Sequence, residues 1–171
     1  MRRSALFTAI LLAAAVSAFP QAKQSKPKSK NEVTAIQAMM AAQDPNAQIK
    51  AADELITKFA DTEFKAIALY VEANAYAQLG NSEKAIVYGE QTIDADPKNY
   101  QAQVLVAKMY AQTTKPTDLD KNEKLGKITK FANDALESLK TAEKPNPQIP
   151  DAEWTGIKND FVGQAHFALG I

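Results

Sequence analysis

Apolar residues recur three and four positions apart along most of the chain after residue 30, and strict apolar–polar alternation is short and rare. This spacing is typical of helices that bury one face. The longest such run extends from Leu125 to Leu139. In all, the pattern predicts seven helices, over residues 31–42, 47–59, 63–79, 83–95, 100–112, 118–141 and 151–171.

Capping residues, glycine and proline mark the ends of these helices. Asp61 and Thr62 are expected to cap the third helix and Ser82 the fourth, because their side-chain oxygens accept bonds from free backbone N–H groups. Gly80 suits the left-handed backbone that often follows a helix, and Pro97 stops the fourth helix. The connections are mostly short, so consecutive helices are expected to be antiparallel neighbours in an all-α fold.

The first 18 residues differ from the rest of the chain. Two arginines precede 15 uncharged, mostly apolar residues that end in Val16, Ser17 and Ala18. This pattern favours a secretory signal peptide cleaved after Ala18; the alternative is an uncleaved N-terminal anchor. The apolar run is shorter than the roughly 20 residues of a membrane-spanning helix. Residues 19–30 carry four lysines among glutamine, serine and proline, and we predict a disordered basic linker there.

Charge and residue content narrow the expected chemistry. From Asn31 onward the chain has 14 lysines and 20 acids, so nucleic acid is not an expected partner. The chain has no cysteine and a single histidine, His166, so no metal site is expected. Neither a nucleophile elbow nor a phosphate-binding loop is found. We therefore expect no catalytic residue and no cofactor.

Two residue pairs repeat at the same interval. Ala73 and Ala107 are 34 residues apart, and so are Tyr76 and Tyr110. Alanine lets two helices cross closely, and tyrosine fills the space toward the next helix. With a turn glycine and a closing proline, this pattern resembles the tetratricopeptide repeat family. The residues that carry the resemblance are Leu69, Ala73, Tyr76, Gly80, Ala85, Pro97, Ala107 and Tyr110.

The resemblance implies a right-handed solenoid of stacked antiparallel helix pairs. Residues 31–63 would form an N-terminal pair, 66–99 the clearest repeat, 100–145 a divergent repeat with a longer loop, and 150–171 the first helix of a further repeat. We expect that further repeat to be truncated and the chain to be the front part of a longer repeat protein; the alternative is that the last helix caps the stack. Truncation would expose apolar residues of that helix, namely Phe161, Phe167, Leu169 and Ile171.

Two positions depart from the pattern of the family. Gly89 stands where the family has a large aromatic residue, and Thr92 stands where it has alanine. We expect the neighbouring Tyr88 to supply the missing bulk.

In the family, the first helix of each repeat lines a concave groove that binds peptides. The matching positions here are Ile67, Tyr70, Asn74, Ala77, Gln78, Gln101, Val104, Lys108, Ala111 and Gln112. An aromatic ring, amides and one cation suit an extended peptide or a helix of a partner protein. The alternative for Asn74 is a bond to a neighbouring backbone. The family's two-carboxylate clamp is not expected, because Tyr70 and Leu105 stand where the clamp has lysine and asparagine.

Signal, charge and resemblance together predict an exported bacterial protein of the periplasm or cell envelope. We expect a non-catalytic scaffold that binds another protein in its groove and has no integral membrane span once the signal is removed. Self-association through the last helix is a further expectation. The alternatives are a structural or biogenesis component of outer-membrane or cell-wall machinery, and the N-terminal non-catalytic part of a longer envelope enzyme.

Overall fold

The computed structural model describes residues 25–170, and all regular structure within this range is helical. It contains seven helices there, which confirms the predicted all-α class. They are α1 (Lys30–Ala41), α2 (Pro45–Lys58), α3 (Lys65–Gln78), α4 (Ser82–Ala95), α5 (Tyr100–Thr113), α6 (Lys121–Thr141) and α7 (Asp151–Leu169). The predicted signal peptide, residues 19–24 of the predicted linker and Ile171 lie outside the described range. None of these seven helices is long and apolar enough to span a bilayer.

Five helices start one to three residues from the predicted position, and local side-chain bonds explain two of these differences. Asn81 caps α4 in place of Ser82, because its side-chain oxygen accepts from the Lys84 N–H at 3.1 Å. The helix α6 begins only after Asp118, whose carboxylate lies 2.9 Å from the Lys124 ammonium and holds the preceding turn. Local side-chain bonds therefore decide these two helix starts.

The loop between α2 and α3 corrects a predicted cap. Asp61 and Thr62 do not cap α3, which begins at Lys65 without a side-chain cap bond. The Thr62 hydroxyl instead accepts from the Phe64 N–H at 3.1 Å and donates to Glu32 of α1 at 2.7 Å. Thr62 thus links α1 to the loop rather than closing the end of α3.

The end of the predicted linker, from residue 25 onward, packs against this same loop. The Ser25 hydroxyl donates to the Glu63 carbonyl oxygen, and the Lys28 ammonium lies 2.7 Å from the Asp61 carboxylate. The Lys28 N–H donates to the buried Glu32 carboxylate. Residues 25–29 therefore form part of the folded structure, and the linker predicted for residues 19–30 does not extend through them.

Each helix packs against the next along the chain, and α5 also contacts α3 and α7. The buried apolar residues form two clusters. The first joins α1, α2 and α3 through Ile36, Met39, Ala52, Leu55, Phe64, Ile67 and Ala68. The second joins α5, α6 and α7 through Tyr100, Val104, Val106, Ala107, Tyr110, Ile128, Phe131, Ala132, Ala135, Leu139, Ala142, Trp154, Ala165 and Ala168.

A glycine permits the close contact between α4 and α5. A Cβ atom added to Gly89 would lie 2.4 Å from Cγ2 of Val106, and both residues are buried. Tyr88 does not fill this position as expected, because its ring stacks on Tyr76 of α3 with centroids 5.2 Å apart. Val106 occupies the space that a large side chain at position 89 would need.

The residues that carry the repeat pattern differ in burial. The alanines and their larger neighbours Leu69 and Tyr110 are buried, Tyr76 is half-buried, and the turn residues are exposed. Gly80 has a φ of 73°, the left-handed backbone expected at the end of α3. The fully buried members are Ala73, Ala85 and Ala107.

Fewer apolar residues of α7 are exposed than predicted. Phe167 is 69% exposed. Phe161 and Leu169 are half-buried and pack against the cluster of α5, α6 and α7. Among the described residues, the predicted exposed surface on this helix is therefore reduced to one ring.

Candidate binding groove

The predicted groove residues lie on α3 and α5, and the structure adds residues of α7. The Lys108 ammonium donates to the Gln164 side-chain oxygen at 2.8 Å, which links α5 to α7. We call the surface that carries Tyr70, Asn74, Gln101, Lys108 and Gln164 the α3–α5–α7 face.

Two of the predicted groove residues do not line this face. Ile67 is 5% exposed and lies in the cluster of α1, α2 and α3. Val104 is 1% exposed and lies in the cluster of α5, α6 and α7. Both side chains are used to hold helices together, so they are removed from the groove assignment.

The remaining predicted groove residues are accessible to different degrees. Gln78 and Gln112 are exposed near the C-terminal ends of α3 and α5. The others are half-buried: Tyr70, Asn74, Ala77, Gln101, Lys108 and Ala111. A bound chain would therefore meet exposed amides at one end of the face and partly covered side chains along the rest of it.

Aromatic rings extend across the three helices beneath this face. Tyr100 of α5 meets Phe161 of α7 edge-on, with ring centroids 5.1 Å apart. Burial raises the pKa of Tyr70 to about 12. The pKa of Tyr100 is raised by burial and, to a smaller extent, by Tyr70. Both phenols therefore keep their protons at neutral pH, and Tyr100 is buried at 2% exposure.

Some polar atoms near the face are buried and have no hydrogen-bond partner within residues 25–170. They include the side-chain oxygen of Gln101 and Nδ1 of His166. The side-chain oxygen of Gln103 is also unpaired, although its amide nitrogen donates to the Pro97 carbonyl at 2.8 Å and so ties the start of α5 to the preceding turn. Buried polar atoms without a partner are costly to the folded state.

The side chain of Asn74 is half-buried on α3. It makes no hydrogen bond to neighbouring backbone within the described part of the chain. The alternative in which Asn74 has only that local role is not supported, and its amide can bond to a bound chain.

Sequence reasoning missed a polar cluster behind the face. The Tyr110 hydroxyl donates to Glu90 of α4 at 2.9 Å and accepts from Lys127 of α6 at 2.8 Å. The cluster joins three helices by one phenol oxygen. The tyrosine was identified from its 34-residue spacing, but its partners are 20 and 17 residues away along the chain and no motif marks them.

No group of three or more residues able to hold a metal ion is found between Ser25 and Gly170. His166, the single histidine, lies half-buried on α7.

Comparison with known proteins assigns no family to this chain. No family model, curated protein or solved structure matches it. The function must therefore be inferred from the contacts and chemistry of the α3–α5–α7 face.

Proposed function

We propose that this chain is a non-catalytic module that binds a peptide or helix of a partner protein on the α3–α5–α7 face. The observation that carries the proposal is the contact of α5 with both α3 and α7, because the predicted groove residues lie on α3 and α5 and Lys108 of α5 bonds to Gln164 of α7. Amides, a tyrosine and a lysine on such a surface can bond to peptide backbone and to acidic side chains.

We further propose that the helices form a tetratricopeptide-like solenoid. Support comes from the contacts between consecutive helices together with those of α5 to α3 and α7. A stack of helix pairs makes contacts of this kind, because each first helix meets the first helix of the next pair. The buried alanines 73, 85 and 107 fit the same packing.

The proposed location is the periplasm or envelope of a bacterium. It is supported by the apolar run and the small residues at positions 16–18 of the sequence. The net negative charge of the remaining chain argues for protein rather than nucleic acid as the partner.

Crosslinking and pull-down from a cell-envelope fraction would test the binding surface. We expect Tyr70→Ala combined with Lys108→Ala to reduce capture of specific proteins at least tenfold. The matched control is Tyr88→Ala combined with Lys84→Ala, which removes the same residue types from α4. Equal capture by the wild type and both double variants would contradict the proposal.

A second variant avoids any loss of packing. Gln78 and Gln112 are exposed, so Gln78→Glu combined with Gln112→Glu adds charge to the face without emptying the core. We expect weaker capture with an unchanged circular dichroism spectrum. Unchanged capture by this variant, together with loss only in Tyr70→Ala and Lys108→Ala, would assign that loss to the fold and not to the face.

A further inference from the structure

Glu72 is a buried carboxyl group in the middle of α3. Its side chain is 0% exposed. Neither carboxylate oxygen has a hydrogen-bond partner within residues 25–170. A carboxyl group in this position is tolerated far better with its proton than without it, because an isolated buried charge is very costly.

Groups from the helices on both sides of α3 act on this position. Asp53 of α2 favours the protonated form of Glu72, first through the interaction between the two carboxyl groups and then by its charge. Both acids act on Tyr88 of α4. Tyr76, one turn further along α3, stacks on Tyr88. The Lys84 ammonium lies 4.8 Å from the ring centroid of Tyr76, and no bond joins it to Glu72.

The third helix that contacts α3 adds no charge beside Glu72. The titratable groups of α5 are Tyr100, Lys108 and Tyr110, which interact with Tyr70, Gln164 and the pair of Glu90 and Lys127. Among the described residues, the charged group that acts on Glu72 is therefore Asp53, and it favours the protonated carboxyl group over the ionised one.

These surroundings change the proton affinity of Glu72. Burial raises its pKa to about 8, and the carboxyl group of Asp53 adds to the increase. Tyr88 keeps its proton throughout the neutral range, because burial, and then the charge of Glu72, raises its pKa to about 12. Glu72 is therefore the group in this cluster whose charge changes near neutral pH.

We propose that Glu72 is a pH-sensitive switch at the junction of α2, α3 and α4: its neutral carboxyl allows the three helices to close over it, and its ionisation beside Asp53 opens the junction. Opening would admit water to the new charge and separate it from the carboxylate of α2. The pair α1–α2 would then pack less tightly on α3, while the α5–α6–α7 part of the molecule would be unaffected.

The direction of the pH effect follows from linkage. The closed junction holds the proton up to about pH 8, whereas an open, solvated glutamate loses it near 4.5. The closed form therefore binds more protons than the open form between these values, and opening becomes more favourable as pH rises. The equilibrium constant for opening rises by at most about tenfold per pH unit, and it levels off above the pKa of Glu72 in the closed form.

Amide hydrogen exchange of α2 and α3, compared between wild type and Glu72→Gln at each pH from 5.5 to 9, would test the switch. Taking the ratio at one pH cancels the intrinsic pH dependence of exchange. We expect the ratio of the wild-type exchange rate to the Glu72→Gln exchange rate to be at least tenfold larger at pH 8 than at pH 6. Amides of α6 should show a constant ratio and serve as the internal control.

Carbon NMR of the glutamate carboxyl groups would measure the titration of Glu72 directly. An ordinary midpoint near 4.5, or a constant exchange ratio from pH 5.5 to 9, would overturn the proposal. If Glu72→Gln fails to fold, Glu72→Met keeps a similar volume and serves as the reference. Asp53→Asn should lower the midpoint of Glu72, so the exchange ratio should level off at a lower pH and reach a smaller maximum.

Discussion

The N-terminal part of the molecule, α1–α3, buries charged groups that the C-terminal part, α5–α7, does not. Glu32 on α1 and Glu72 on α3 are both almost inaccessible to solvent. The buried polar side chains on α5, α6 and α7 are those of Gln103 and Ser138, which are neutral. The two parts therefore depend on different interactions, although both are built from helices of similar length.

The two buried glutamates also differ from each other. Glu32 accepts hydrogen bonds from the Thr62 hydroxyl and the Lys28 N–H, whereas Glu72 accepts none from the described residues. A buried carboxylate with donors stabilises the fold, and one without donors limits the pH at which the fold is stable. We infer that the stability of the N-terminal part depends on individual polar contacts, and that of the C-terminal part on apolar packing.

The largest effect is expected for Glu32→Ala. The change leaves the Thr62 hydroxyl and the Lys28 N–H without their acceptor and creates a cavity beneath residues 25–29. We expect a loss of about 3 kcal/mol in the free energy of unfolding, measured by urea denaturation. Trp154 fluorescence would follow unfolding of the C-terminal part, and the circular dichroism signal would follow unfolding of the whole molecule.

Glu54→Ala is the control for this substitution. Glu54 lies on the surface of α2 in an exposed pair with Lys58, at 2.9 Å, so its loss should leave the urea midpoint almost unchanged. A Glu32→Ala protein as stable as the Glu54→Ala protein would show that the bonds to Glu32 do not hold the N-terminal part.

A smaller effect is expected for Gly89→Ala, where the two parts of the molecule meet. The new methyl group would lie 2.4 Å from the Val106 side chain, which is β-branched and fully buried. Overpacking costs about 1–3 kcal/mol, and the better helix propensity of alanine returns about 1 kcal/mol. We expect a net loss of up to about 2 kcal/mol in thermal or urea denaturation.

Gly163→Ala provides the opposite result in the same chain. A Cβ atom at Gly163 on α7 would have no atom within 4 Å, so only the helix propensity changes. We expect a gain of about 0.5–1 kcal/mol. If both glycine substitutions stabilised the protein equally, the close contact of α4 with α5 would not exist in solution.

Local features of the fold could be predicted from the sequence. The apolar run from Leu125 to Leu139 lies within α6, and Gly80 has the left-handed backbone expected of a helix end. These features depend on residues within one or two turns of each other. The spacing of apolar residues and the backbone preference of glycine determine them. The fold class follows from the same information.

Contacts between distant residues could not be predicted in this way. The family resemblance placed Ile67 and Val104 in the groove. Core and groove positions are neighbours on a helix surface, so the two are easily exchanged. The sequence around Glu72 shows one acid among apolar residues, without indicating that α2 and α4 close over it. Such facts depend on the angles at which helices pack, which the period of a single helix does not determine.

The smallest effect is expected for Tyr110→Phe in the C-terminal part. The change removes the hydroxyl that bonds to Glu90 and Lys127 but leaves these two in contact at 3.1 Å, so we expect a loss of about 1 kcal/mol in the free energy of unfolding.

The hydroxyl of Tyr110 is the main cause of the raised pKa of Lys127, with a further contribution from Glu90. A raised lysine pKa adds stability that is complete below its ordinary value of 10.5 and is lost only above it. The loss should therefore be the same at pH 6 and pH 8, in contrast to the pH-dependent behaviour of Glu72. Tyr76→Phe, at the equivalent position 34 residues earlier, is the control. It should have little effect, because its hydroxyl makes a 3.5 Å contact with Lys84 and a weak interaction with Tyr88. A loss for Tyr110→Phe that grew between pH 6 and pH 8 would show that the C-terminal part also depends on a group that titrates near neutral pH.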